Sequence, residues 1–253
     1  MIRVVEKNGK KVTIIGTAHI SSKSRDQVKE IIENEKPNVV GIELDASRFY
    51  AMMSGKKSTA KFTDAFRSRK PFLFLLQYFL SKYQKKIAAD FNMEPGEEMK
   101  QAALSAKVVG ARILLADRDV NITLQKLYNA LTFREKLRLL NTGFKMQKEL
   151  GKDISVQKIL SEAEAEDSEF INKIMEILER RHKKLKQALI DERDEFMAYN
   201  IQQVLKDENV TNVVLVVGAG HTNGIVKNLD NENIDIKSIL SVKKEKKIKK
   251  KEN

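Results

Sequence analysis

Cysteine is absent from the 253 residues of this chain. Disulfides and thiolate metal ligands are thereby excluded, and the absence favours a reducing compartment. No window reaches the roughly 18 consecutive apolar residues that a membrane-spanning helix needs. The nearest, Phe72–Leu80, is short, contains Gln77 and runs into Lys82. Met1-Ile2-Arg3 passes straight into strand-like sequence, without the n-region and apolar stretch of a cleavable signal peptide. These absences lead to the expectation of a cytoplasmic protein, with membrane association left open. Only three prolines occur, and no linker rich in proline or glycine divides the chain. It reads as a single domain over residues 1–242, with helical excursions at about 46–95 and 120–207, followed by a disordered lysine-rich tail at 243–253.

The formal net charge of +12 invites a nucleic-acid reading, but its distribution opposes one. Seven lysines against Glu245 and Glu252 put +5 into Lys243–Asn253 alone. The remaining excess is spread over long helices rich in both signs, which read as solvated faces. No helix-turn-helix, RNP-type motif or zinc finger is present to convert charge into readout, so no specific nucleic-acid partner is expected. The tail itself fits a polybasic segment drawn to anionic lipid.

Arg3–Glu6 and Lys11–Gly16 flank Asn8-Gly9, the strongest short hairpin signal, suited to a type I′ turn. A helix over about Ser24–Glu35 follows, with Ser24 and Gln27 as a capping box and Val28, Ile31 and Ile32 on one face. Pro37 ends it, and Asn38–Glu43 is the next strand, parallel to the first across a β-α-β crossover. Pro95-Gly96 opens a helix that Gly110 closes, and Ala111–Ala116 is a third main strand. A long helical stretch over about Thr123–Asp207 comes next. Its apolar positions Phe170, Ile171, Ile174, Ile177, Leu178 and Leu185 suit core or a homodimer seam. Val213–Val217 is the fourth main strand, and Ile234–Leu240 reads as a last one. The expected fold is α/β, a mainly parallel or mixed sheet built from both chain ends, with a large helical insertion between its third and fourth main strands.

Histidine is as scarce as proline, yet two of the three share a local frame. Val12–Gly16 runs into Thr17-Ala18-His19, and Val213–Gly218 into Ala219-Gly220-His221. Each is a β-branched run followed by Gly-x-x-His. If both strands share one parallel sheet, both imidazoles emerge at its carboxyl edge, where open α/β folds place their ligands. Glu43, and Asp117 with Arg118, end two more strands. A charge at a buried strand end is costly unless paired or metal-bound. Two imidazoles and a carboxylate suit zinc, manganese, cobalt or iron, and three protein ligands leave a position open for an acidified water. Arg118 could hold a substrate carboxylate or a developing oxyanion. The structural alternatives are an ion pair of Glu43 with Arg48 or another arginine, and a plain salt-bridge loop at Asp117-Arg118-Asp119. His182, inside Arg180–Lys184, reads as one position of a basic helix face. Gly218–Gly224 departs from a dinucleotide fingerprint in its last glycine, lies near the C-terminus and has no acidic partner following at a second strand end.

Gly16-Thr17-Ala18-His19, Glu43-Leu44-Asp45 with Arg48, Gly96–Glu98, Asp117-Arg118, Asp191–Met197 and Gly218-Ala219-Gly220-His221 with Gly224 together resemble the TraB/PrgY family, which groups with the GumN and Tiki proteins. The resemblance spans about residues 12–240. It implies a sheet of the erythromycin esterase/ChaN-like type, an association with shutdown of peptide pheromones, and metal-dependent peptidase chemistry with manganese or cobalt. On this sequence it places the metal ligands at His19, His221 and Glu43. Further polar family positions fall at Glu98, Arg118 and Arg193. Many prokaryotic relatives carry hydrophobic spans after this domain, whereas this chain ends in lysines. The expected function is a metal-dependent hydrolase acting on peptides, with Glu43 as general base if it is not a ligand and Arg118 or Arg193 stabilising the oxyanion. The alternative is a non-catalytic protein that sequesters a peptide in the same cleft.

Overall fold

The structure is a computed structural model and describes residues 1–17, 22–55, 96–132, 134 and 183–242. Five strands form one mixed sheet: β1 (Ile2–Lys7), β2 (Lys10–Thr17), β3 (Val39–Ile42), β4 (Arg112–Leu115) and β5 (Asn212–Gly218). Their spatial order is β1-β2-β5-β3-β4. β1 and β2 pair antiparallel through Asn8-Gly9, whose positive φ values of 52° and 71° are those a type I′ turn demands. The other pairings are parallel.

The anticipated β-α-β unit is present, but β2 and β3 are not neighbours. β5, from the far end of the chain, lies between them. Its apolar run Val213–Val217 is fully buried on both faces, as expected of a central parallel strand. Alternation divides the core. Val12, Ile14, Val213, Leu215 and Val217 pack toward Met197, Ala198 and Ile201 of one helix and Ile225 of another. Ile15, Val40, Ile42, Val214 and Val216 face Val28 and Ile32, with Met99, Ala102 and Ala106.

The first helix, α1 (Ser22–Glu35), starts two residues before the expected cap, so Ser24 falls inside its first turn. Next come α2 (Ala46–Met53), capped by Asp45, and α3 (Glu97–Val109), bounded by Gly96 and Gly110 as read from sequence. After β4 come α4 (Val120–Ala130) and α5 (Lys183–Lys186), then a π turn (Gln187–Asp191) running into α6 (Glu192–Val204). A single 3₁₀ turn (Ala219–His221) leads from β5 into α7 (Thr222–Asn228), and α8 (Ile236–Leu240) follows. The last element corrects the sequence reading of Ile234–Leu240 as a strand. Asp235 accepts from the Ser238 amide at 3.0 Å and caps a short helix that buries Ile239.

Residues 56–95 and 135–182, which hold the apolar block Phe72–Leu80, the stripe Phe170–Leu178 and His182, lie outside the described residues, as do His19 and the tail 243–253. The extent of the expected insertion falls there too. Among the described residues no helix is long and apolar enough to cross a membrane.

Candidate functional site

The sheet register brings three strand ends to one place. Thr17 pairs with Gly218, and Ile42 with Val216. One residue beyond β3, the Glu43 amide still donates to Val216 O at 3.1 Å, so the backbone that carries this carboxylate is pinned to β5. Glu43 Oε2 then accepts from the Gly218 amide at 2.6 Å, which turns Oε1 toward His221 Nε2, 3.3 Å away. Both side chains are buried.

Two residues at the start of α6 complete the cluster. Asp194 Oδ1 lies 2.6 Å from His221 Nδ1, the ring nitrogen that does not face Glu43. Arg193 donates from Nη2 to Glu43 Oε1 and, at 2.7 Å, to Asp117 Oδ2; its Nε reaches Asp117 at 3.1 Å. Arg193 Nη1 lies 3.0 Å from His221 Nε2 and 3.1 Å from Leu189 O. Arg48 closes the outer side, bonding Asp45 Oδ2 and Asp117 Oδ2, each at 2.6 Å.

Two glycines make this packing feasible by lacking a side chain. A Cβ on Gly224 would sit 1.8 Å from Asp194 Oδ2, and one on Gly16 would sit 2.4 Å from Thr222 Oγ1 and 3.0 Å from Ala219 Cα. The glycine of the first Gly-x-x-His thus lets the turn carrying the second histidine dock on β2.

Charge in the cluster is unbalanced among the described residues. Glu43, Asp45, Asp117 and Asp194 face two guanidiniums, Arg48 and Arg193, and one imidazole. Burial works against ionised His221, but the Glu43 charge and the Asp194 hydrogen bond outweigh it and push its pKa up to about 9. Burial also raises Asp194, to about 6, against the opposing pull of His221 and Arg193. The two protonation states of Nε2 select different neighbours. A protonated Nε2 donates to Glu43, whereas a bare Nε2 accepts from Arg193. With Nδ1–H held by Asp194, the neutral ring presents the Nε2 lone pair inward, the arrangement that carboxylate-backed histidine ligands use.

The residues anticipated from sequence divide as follows. Glu43, Arg193 and His221 come together. Asp117 joins them, but Arg118 turns the other way, as successive residues leaving a strand do. Its buried guanidinium donates to Thr123 Oγ1 at 2.9 Å, Glu192 Oε2 at 2.6 Å, Ala188 O at 2.6 Å and Ile239 O at 3.1 Å. Glu98 is buried in the first turn of α3. His19 lies outside the described residues. Arg48 pairs with Asp45 and Asp117, and Glu43 has Arg193 as its arginine partner. Asp194 was missed as a functional residue, because one acid in the run Asp191–Glu195 looks like a solvated helix face. The available signal was Gly224, three residues after His221, where a side chain has no room.

As a metal site, the described residues offer two facing donors, Glu43 Oε1 and His221 Nε2. No group of three His, Asp or Glu side chains among the described residues is placed to hold an ion. The donor types and the Asp194 brace fit a divalent cation, and a third ligand would have to come from elsewhere.

The carboxyl edge of this α/β sheet thus gathers a carboxylate, a braced histidine and an arginine. The chain belongs to the TraB/PrgY/gumN family, whose model matches residues 1–238. It is 35% identical over 244 residues to an uncharacterized protein of Methanocaldococcus jannaschii, covering 93% of this chain and 58% of that one. It is 26% identical over 264 residues to the TraB domain-containing protein of Homo sapiens, covering 95% of this chain and 68% of the relative. The Mus musculus protein of the same name is 26% identical over 263 residues, with 95% and 68% covered. The chain thus spans 58% of the archaeal relative's length and 68% of the two mammalian ones.

Proposed function

We propose that the protein is a metal-dependent hydrolase acting on peptides, with Glu43, His221 and His19 holding a divalent ion on a sheet of the erythromycin esterase/ChaN-like type. The observation that supports this most is the convergence of Glu43 Oε1 and an Asp194-braced His221 Nε2, 3.3 Å apart, in a buried cluster. His19 follows Thr17 by two residues, a reach of at most about 7 Å from the β2 end that pairs with Gly218. Manganese or cobalt is the cofactor the family resemblance favours, and zinc or iron also suit the donors. When bound, such an ion supplies an acidified water and polarises a carbonyl.

The chain's own groups carry the rest. Asp194 fixes the tautomer of His221. The Gly218 amide holds Glu43 in the rotamer that faces the site; if Glu43 is not a ligand, it is the base that takes the proton of the attacking water. Arg193, charged at all working pH values, stands beside both and can neutralise the oxyanion of an amide undergoing attack. Arg118, spent on α4, the π turn, α6 and α8, braces the element that carries Arg193. The rival reading, a protein that binds a peptide without cleaving it, draws on one observation. Arg193 already pairs with Glu43 and lies against His221, so the cluster is stable without metal.

Metal analysis and peptide digestion separate the two. Protein incubated with Mn²⁺, Co²⁺ or Zn²⁺ and then desalted should retain about one ion per chain, and His19→Ala, Glu43→Gln and His221→Ala should lose it. The loaded wild type should cleave members of a peptide library read by mass spectrometry. Wild type that retains no ion under any loading, yet holds peptides intact, would replace the hydrolase with the binder.

A further inference from the structure

Arg193 occupies the space between the two donors that a metal would need. Arg193 Nη1 lies 3.0 Å from His221 Nε2, the ring atom through which a neutral imidazole would bind an ion. Glu43 Oε1 is held by Arg193 Nη2. A divalent ion using both atoms would meet a guanidinium in direct contact with each. The guanidinium and an ion cannot both sit against these two atoms, and at this separation in a buried site their repulsion is large.

The same side chain has a second set of partners that needs neither donor. Arg193 Nε and Nη2 reach Asp117 at 3.1 Å and 2.7 Å, and Nη1 reaches Leu189 O at 3.1 Å. Leu189 lies in the π turn that precedes Arg193. Releasing Glu43 and His221 therefore leaves the guanidinium with a carboxylate and a carbonyl, not stranded in the core.

Resting on the hydrolase reading above, we propose that Arg193 is a resident cation that gates the site: in the metal-free protein it neutralises Glu43 and caps His221 Nε2, and a divalent ion enters only by displacing it onto Asp117 and Leu189. Metal affinity is then set by competition between this tethered cation and the ion in solution. The device keeps the buried carboxylates compensated when metal is scarce, and frees the guanidinium for substrate when metal is present.

Calorimetric titration of the full chain with Mn²⁺ tests this, comparing wild type with Arg193→Met and Arg193→Lys. Removing one competing charge from a buried cluster should tighten Mn²⁺ binding by about tenfold or more in Arg193→Met. Arg193→Lys, which keeps the charge, should stay nearer to wild type. Metal-free Arg193→Met should melt below wild type, and Mn²⁺ should raise its midpoint by more than it raises that of wild type. A second measurement needs no variant: the Arg193 Nε–H signal, followed by nitrogen-15 NMR with diamagnetic Zn²⁺, should shift as metal binds. Unchanged or weaker Mn²⁺ affinity in Arg193→Met, or an Nε–H signal indifferent to bound Zn²⁺, would overturn the gate while leaving the metal site standing. If neither wild type nor Arg193→Met binds any ion, the metal reading fails and the gate with it.

Discussion

Asp194 shows how much a neighbour three residues along the chain from a histidine can decide. Gly224 has no side chain, so the carboxylate packs against α7 and reaches His221 Nδ1 at 2.6 Å. Asp194→Asn keeps the shape but removes the charge that holds Nδ1–H. It should weaken metal binding by about 10- to 100-fold, the usual effect of losing a carboxylate behind a ligand histidine. Gly224→Ala should act the same way by expelling Asp194, with an added loss of stability. Titration of both variants with Mn²⁺ checks this, and wild-type affinity in both would show that the brace is idle. Asp45 offers a stability test at the edge of the cluster. Burial opposes its ionisation, but bonds from Ser47 and Arg48 and the Arg48 charge hold its carboxyl at about 2. The folded value lies below the ordinary 3.8, so this stability is complete above about pH 4 and is lost as pH falls toward 2. Asp45→Asn should flatten the thermal midpoint against pH in that window. Equal slopes in variant and wild type would remove Asp45 from the acid response.

Strands were the most legible elements, because buried parallel strands are nearly unbroken apolar runs and Val12–Gly16, Val39–Ile42 and Val213–Val217 are such runs. Their spatial order was not legible. Nothing local in Val213–Val217 says that it inserts between β2 and β3, since that placement comes from packing across two hundred residues. Ile234–Leu240 was misread because Ile234 and Ile236 alternate like a strand, whereas the Asp235 cap decides for a helix. Glu43 and His221 were found because charge and imidazole at the end of an apolar run stand out. The inward turn of Asp117 and the outward turn of Arg118 depend on how the chain leaves β4, which residue type does not encode. The π turn was equally hidden, and its role is visible only in its partners. Arg118 Nη2 takes Ala188 O, Arg193 Nη1 takes Leu189 O, and Arg118 Nη1 takes Glu192. Arg118→Met would leave Ala188 O and Ile239 O without that donor and should cost about 3 kcal/mol or more, as broken buried ionic contacts do. Urea denaturation measures it. A loss below about 1 kcal/mol, within the range of ordinary surface pairs, would contradict the bracing role.

Seen as a whole molecule, the sheet joins three strands from the first forty-odd residues of the chain to β4 and to the distant β5, and the site exists only because that closure occurs. Glu43 comes from β3, His221 from beyond β5, and Arg193 with Asp194 from the helix that packs Met197, Ala198 and Ile201 on the sheet. The family match over residues 1–238 includes all of these parts. The hydrolase reading concerns one point in that unit, between Glu43 Oε1 and His221 Nε2. Anomalous diffraction at the manganese edge, from crystals grown with Mn²⁺, locates an ion there without reference to activity. The expected result is a single strong peak beside Glu43 and His221, with the Arg193 guanidinium withdrawn toward Asp117. A map with no peak at that point and Arg193 still on Glu43 and His221 would contradict it.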